Sequence, residues 1–147
     1  ANMSYLADSN ILTRLAQKQS QHYPFARRAV ISLRRQGEEI CIVPQNLIEF
    51  WSVATRPAVN NGLGLTASEA KLEIRKFRRL FKFYDDKFGI FDEWENLVAK
   101  YQVSGKNVHD ARLVAAMIKH NFTHLLTFNG KDFKRFGEII VIDPQSF

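Results

Sequence analysis

Cysteine is nearly missing from these 147 residues: Cys41 stands alone, in "EICIVP" among strand-forming neighbours. One thiol forms no disulfide framework, and a small buried hydrophobe is its simplest role there, which fits a reducing, cytoplasmic compartment. Long apolar runs are missing too. Nothing approaches the roughly 18 residues of a membrane span, and the N-terminus lacks a charged-then-apolar signal pattern, so no membrane partner is expected. Absent as well are a G-x-S-x-G elbow, a Gly-rich phosphate loop, a cysteine with a spaced histidine, and any histidine spacing suited to zinc. No internal repeat or low-complexity stretch divides the chain. A single domain over 1–147 is expected, with Ala1 and Asn2, ahead of Met3, read as an expression scar.

What is present is a core and a basic balance. Apolar residues make up 46% of the chain and twelve are Phe, enough to build a globular interior without disulfides or a structural metal. Lys and Arg number 21 against 15 acids, a net charge of +6. That surplus favours a polyanionic partner without naming one.

Strands and helices alternate along the chain. "SYLA" reads as a strand ending at Asp8, followed by a tight turn and a helix through Ile11, Leu12 and Leu15, with Ser9 or Asn10 as its cap. "HYPFARRAVISLRRQG" patterns a second helix that Gly37 stops, and "EICIVP" a strand closed by Pro44. The segment 45–55, "QNLIEFWSVAT", is apolar almost all round and predicts a buried helix with Glu49 in its middle. Residues 56–66, "RPAVNNGLGLT", form the longest turn-rich loop. An amphipathic basic helix follows, its end near 81–84 open to a short strand, then a helix through Trp94 and Leu97 and another over 107–121 with Asn107 as a possible cap. "HLLTF" and "EIIVID" are the last strands, separated by the turn and short helix of "NGKDFKRF". Such alternation predicts an α/β fold, a parallel sheet with helices on both faces, whose sites gather beyond the carboxyl ends of the strands.

Four acids stand apart from the solvated ones. Asp8 ends a strand, Glu49 sits in an apolar helix, Asp110 lies in a first helical turn and Asp132 follows a strand. Each has an ordinary alternative: Asp8 as a helix cap, Asp110 and Asp132 as complements to a helix dipole. Glu49 is different, because an unpaired buried carboxylate costs several kcal/mol or titrates to neutral. If the four converge, a divalent cation would neutralise them, and carboxylates without clustered His or Cys suit Mg²⁺ or Mn²⁺ over zinc. In a basic chain this points to hydrolysis of phosphate esters. "DSN" lacks the second acid of the D-x-D opening of aspartyl-phosphate phosphatases, which argues against Asp8 as a nucleophile.

The ordered set "YLADSNIL", "VPQNLIEFW", "GKNVHDARLVAAM" and "LLTFNGKDF" resembles the PIN-domain ribonucleases, specifically the VapC-type toxins of prokaryotic toxin–antitoxin pairs, over nearly the whole chain. The resemblance implies a five-stranded parallel sheet between helices, with a Mg²⁺ site that cuts RNA by metal-activated water. It places the catalytic acids on Asp8, Glu49 and Asp110, with Asp8 and Asp110 as direct metal ligands. Many relatives carry an acid where this chain has Asn129, and others use the acid before the Phe, so Asp132 completes the set and Asn129 orients a water or ligand. Ser9 and Asn10 are expected to steady the turn of the first acid by side-chain hydrogen bonds, and Thr127 to do likewise. Arg112 faces the site, an inhibitor or solvent. A cognate antitoxin and a homodimer complete the implied partners.

A PIN-like module that binds RNA or a protein without cutting is the alternative, favoured by the missing charge at Asn129. A DNA nuclease with the same chemistry is another. Lys71, Arg75 and Arg78, on one face of the basic helix with Lys82, are the expected nucleic-acid contacts, against the alternative of a merely solvated face.

Overall fold

The computed structural model describes residues 3–147; the supposed scar, Ala1 and Asn2, lies outside the described residues. Five parallel strands form one sheet: β1 (Ser4–Ala7), β2 (Glu39–Ile42), β3 (Lys82–Phe83), β4 (His124–Leu126) and β5 (Ile140–Ile142), in the order β3-β2-β1-β4-β5. Leu6 pairs with Cys41 on one side and Leu125 on the other, so β1 is central and the chain departs from it in both directions. In an open parallel sheet that reversal leaves a crevice outside the carboxyl ends of the strands. Asp8 is the first residue past β1, and Thr127 the first past β4.

Among the described residues, six α-helices cover the two faces. α1 (Ser9–Leu15), α2 (Tyr23–Arg35), α3 (Pro44–Thr55) and α4 (Ala67–Leu80) pack on one, with Phe50 and Phe77 edge to face at 5.0 Å between ring centroids. α5 (Ile90–Lys100) and α6 (Val108–His120) pack on the other. The small residues Ala111, Ala115 and Ala116 are fully buried, which brings the α6 backbone close to the sheet and leaves its first turn at the strand ends. Thr66 and Glu69 start α4 with a reciprocal capping box, Oγ1 accepting from Glu69 N at 3.1 Å and Oε1 from Thr66 N at 2.9 Å. The loop before it holds a 3-10 turn, Ala58–Asn60. Among the described residues no helix is long and apolar enough to cross a membrane. Cys41 is buried, and burial with the nearby Glu39 carboxylate pushes its thiol well up, away from the reactive thiolate.

Three local expectations change. The cap of α1 is neither Ser9 nor Asn10 but Asp8, the ordinary role its position also allowed: its Oδ1 accepts from Ser9 N at 2.7 Å, because Asp8 is the one residue between strand and helix. Asn107 occupies the cap position of α6 without making a side-chain cap bond. Pro44 does more than close β2: it opens α3, and that helix is not buried all round. Ile48 is 68% exposed and Glu49 is half-buried, because only the stripe through Leu47, Phe50 and Ala54 meets the core.

Candidate active site

One cleft of about 360 Å³ at the carboxyl ends of β1 and β4 contains Asp8, Glu49, Asp110 and Asp132 in its wall. Four separate segments deliver them: the β1–α1 junction, α3, the first turn of α6, and the 3-10 turn Gly130–Phe133. Glu49 therefore escapes the burial its neighbours imply by pointing into the cleft, where its Oε2 accepts from Gln45 Nε2 at 3.3 Å.

Asp8 is the most enclosed, at 6% exposure. Oδ1 takes the Ser9 N–H, and Oδ2 takes the Thr127 hydroxyl at 2.8 Å. Thr127 in turn accepts from Asn10 Nδ2 and from Asn129 N, each at 3.0 Å, and Asn10 Oδ1 accepts from Phe128 N at 3.2 Å. Asn10 and Thr127 thus tie the β1 turn to the β4 turn by side chains, whereas Ser9 contributes through its backbone.

The electrostatics record the convergence. Burial first, then the charges of Glu49 and Asp110, push the Asp8 carboxyl up to about 6, against the lowering effect of its two hydrogen bonds. Asp110 is also raised to about 6, by burial and by Asp132 and Glu49, with His109 and Arg135 acting in the opposite sense. Among the described residues none of the four acids has a basic side chain within ion-pair distance. The cleft carries negative charge with too little positive charge to balance it.

That imbalance, and a donor set made only of oxygens, fits a hard divalent cation. Among the described residues no three His, Cys, Asp or Glu side chains gather as a ready-made metal cage. The fit is therefore to an ion held by one or two carboxylates and completed by water, as Mg²⁺ commonly is. Three histidines lie elsewhere, His22 packed on Phe128, His124 on Tyr5 and His120 on Phe122, while His109 is exposed beside Asp110.

Asn129 and Asp132 both line the cleft. Arg112 turns to Gln45 Oε1 at 3.0 Å and to Asp86 Oδ2 at 3.2 Å. Lys71, Arg75 and Arg78 are exposed on α4 and are not part of the cleft wall. The sequence reading missed Arg14, Gln17, Arg56 and Asn61, which line it. A partial signal existed: Asn10 and Arg14 on α1, and Glu49 and Val53 on α3, lie four apart on one helix face, while Gln17 and Arg56 fall just past the ends of those helices.

No family model and no curated protein matches the sequence. Solved structures do match. A VapBC2 structure from Rickettsia felis, bound to a promoter DNA fragment, is similar at 18% identity and a TM-score of 0.71, covering 96% of this chain and 98% of that one. A DNA-bound VapBC from Salmonella typhimurium gives 14% identity and 0.70, over 97% and 98%. VapC20 of Mycobacterium tuberculosis, a toxin that cleaves the sarcin-ricin loop, gives 16% and 0.65, over 92% and 96%. With its five parallel strands, its six helices and this near-complete coverage, the chain has the fold of the PIN-domain VapC toxins.

Proposed function

We propose that this protein is a Mg²⁺-dependent endoribonuclease, the toxin of a toxin–antitoxin pair. The observation that carries the reading is the one cleft that gathers Asp8, Glu49, Asp110 and Asp132, in which Asp8 and Asp110 are both raised and, among the described residues, none of the four acids has a basic side chain within ion-pair distance. Asp8 and Asp110 would hold the ion. Held by these two carboxylates, a Mg²⁺ ion would supply the chemistry of an acidified water and of positive charge against the phosphate. Glu49 and Asp132 would orient water at the cleft, and Asn129, with an oxygen but no charge, would assist them. Thr127 fixes the rotamer of Asp8, so the ligand geometry is set before substrate arrives. RNA as substrate, an antitoxin partner and a homodimer acting in the cytoplasm follow from the same reading. Support for an antitoxin is that structures of VapBC complexes share this fold.

Incubating the purified protein with single-stranded and structured RNA, in Mg²⁺ or EDTA and beside Asp8→Asn, tests the proposal. Cleavage that needs both Mg²⁺ and Asp8 is expected. No cleavage in Mg²⁺ or Mn²⁺ would leave a PIN-like binding module, the reading that Asn129 favours. Preferential cleavage of a matched DNA oligonucleotide would assign the same chemistry to DNA.

A further inference from the structure

The cleft is not acidic throughout. We propose that Arg14 and Arg56 form a phosphodiester-binding subsite beside the acidic centre, which grips the RNA strand next to the scissile bond; this rests on the ribonuclease reading. Both side chains line the same cavity as the four acids. Among the described residues neither has an acidic partner within ion-pair distance. Arg14 donates instead to the neutral Gln17 Oε1, at 3.0 Å, so its charge remains available. One cavity therefore carries four carboxylates and two guanidinium groups in its wall, with no ion pair between them among the described residues. A polyanion lying along it is attracted at the arginine end and needs a cation at the acidic end.

The arginine end is also built rather than draped. Arg56 ends α3, and the turn-rich loop folds straight back on it: Gly64 N donates to Arg56 O at 2.9 Å, and Leu63 N and Leu65 N donate to Val53 O and Ala54 O at 3.1 and 2.9 Å. A Cβ on Gly62 would lie 2.0 Å from that same Arg56 oxygen, so only glycine lets the loop close. Asn61, in the left-handed conformation at φ 62°, is carried into the cleft wall by this turn. A pinned backbone reduces the ordering cost of binding, and the planar guanidinium fork matches phosphate oxygens.

Fluorescence anisotropy of a single-stranded RNA in EDTA, across a salt series, reads the subsite without the metal. Arg14→Gln and Arg56→Gln should each flatten the slope of log affinity against log salt by about 0.7, and the double variant by about twice that. Arg14→Lys and Arg56→Lys should keep the slope. Arg79→Gln, an exposed charge outside the cleft, should also leave it unchanged. In Mg²⁺ the glutamine variants should raise KM about tenfold with kcat nearly intact, the pattern of lost uniform binding. Wild-type slopes in both glutamine variants overturn the subsite, and cleavage by the same wild-type sample keeps the nuclease reading. Arginine-dependent binding with no cleavage in Mg²⁺ keeps the subsite and overturns the nuclease reading. A wild-type protein that binds no RNA overturns the subsite.

Discussion

Thr127, at the end of β4, gives its only hydroxyl hydrogen to Asp8 Oδ2 at 2.8 Å, across the seam between the two central strands. Its oxygen accepts from Asn10 Nδ2 and Asn129 N, so its hydrogen-bonding capacity is filled and the hydroxyl cannot turn away. Both Asp8 oxygens then act as acceptors, a pattern suited to the ionised acid, although burial raises its pKa. Thr127→Val should weaken Mg²⁺ binding, shift its pH midpoint upward and cost about 1–3 kcal/mol of stability, while Thr127→Ser retains all three. Isothermal titration against pH and thermal melts check this. Equal metal affinity in the valine variant would remove Thr127 from the site.

Asp8 and Asp110 predict a pH dependence that the cation reverses. Each folded-state pKa, about 6, lies above the ordinary aspartate value of 3.8, so between them the folded protein holds protons that the unfolded chain has released. Stability without divalent ions should therefore fall as pH rises from about 4 to above 6, by an amount on the order of 3 kcal/mol from Asp8. Mg²⁺ should restore stability near neutral pH and do nothing near pH 4, where both acids are protonated. Asp8→Asn should stabilise the metal-free protein at neutral pH and abolish cleavage. Denaturant melts with and without Mg²⁺ at two pH values decide; a stability that rises through this window would contradict the assigned shifts.

Gln45 joins the two helices that supply acids. Its Nε2 donates to His109 O at 2.8 Å and to Glu49 Oε2, and its Oε1 receives Arg112, so one buried carboxamide sets α3 against the first turn of α6. Gln45→Met keeps the shape and removes these bonds. It should lower kcat by about tenfold with a small change in KM, since it loosens Glu49 and Asp110 rather than substrate contacts. Steady-state cleavage kinetics measure the split, and an unchanged kcat would make the bridge merely structural.

Gly62→Ala tests position apart from charge. The added carbon forces the loop off Arg56, with every charge retained. KM for RNA should rise several-fold and the melting temperature fall by a few degrees, from a strain of about 1–3 kcal/mol. Kinetics equal to wild type would show that the loop has no part in placing Arg56.

The sequence made the sheet and the acids legible for different reasons. β-branched and leucine-rich runs between helical periods mark four of the five strands, and parallel order follows from alternation, whereas periodicity leaves 81–84 open between helix end and strand, where β3 forms at Lys82–Phe83. The acids showed because each interrupts a local pattern. Glu49 was noticed through a burial that is not there: Ile48 faces outward at 68% exposure, and the helix buries one stripe only. Of the caps the sequence offers for α1, Ser9, Asn10 or Asp8, the structure uses Asp8, because strand end and helix start fall on that one residue. Arg14 and Arg56 were missed because an arginine on a helix face interrupts nothing, and only the tertiary fold brings α1 and the end of α3 to one cavity. Lys71, Arg75 and Arg78 drew attention by local charge density, which says nothing of distance from the cleft.

The central claim is that acids from four segments form one cation-binding centre. Crystals soaked in Mn²⁺ and measured for anomalous scattering test it most directly. The account predicts a peak between the Asp8 and Asp110 carboxylates, within reach of waters held by Glu49 and Asp132, and its loss in Asp110→Asn at the same Mn²⁺ concentration. A cleft that stays without a peak at saturating Mn²⁺, while RNA is still cut, would contradict it.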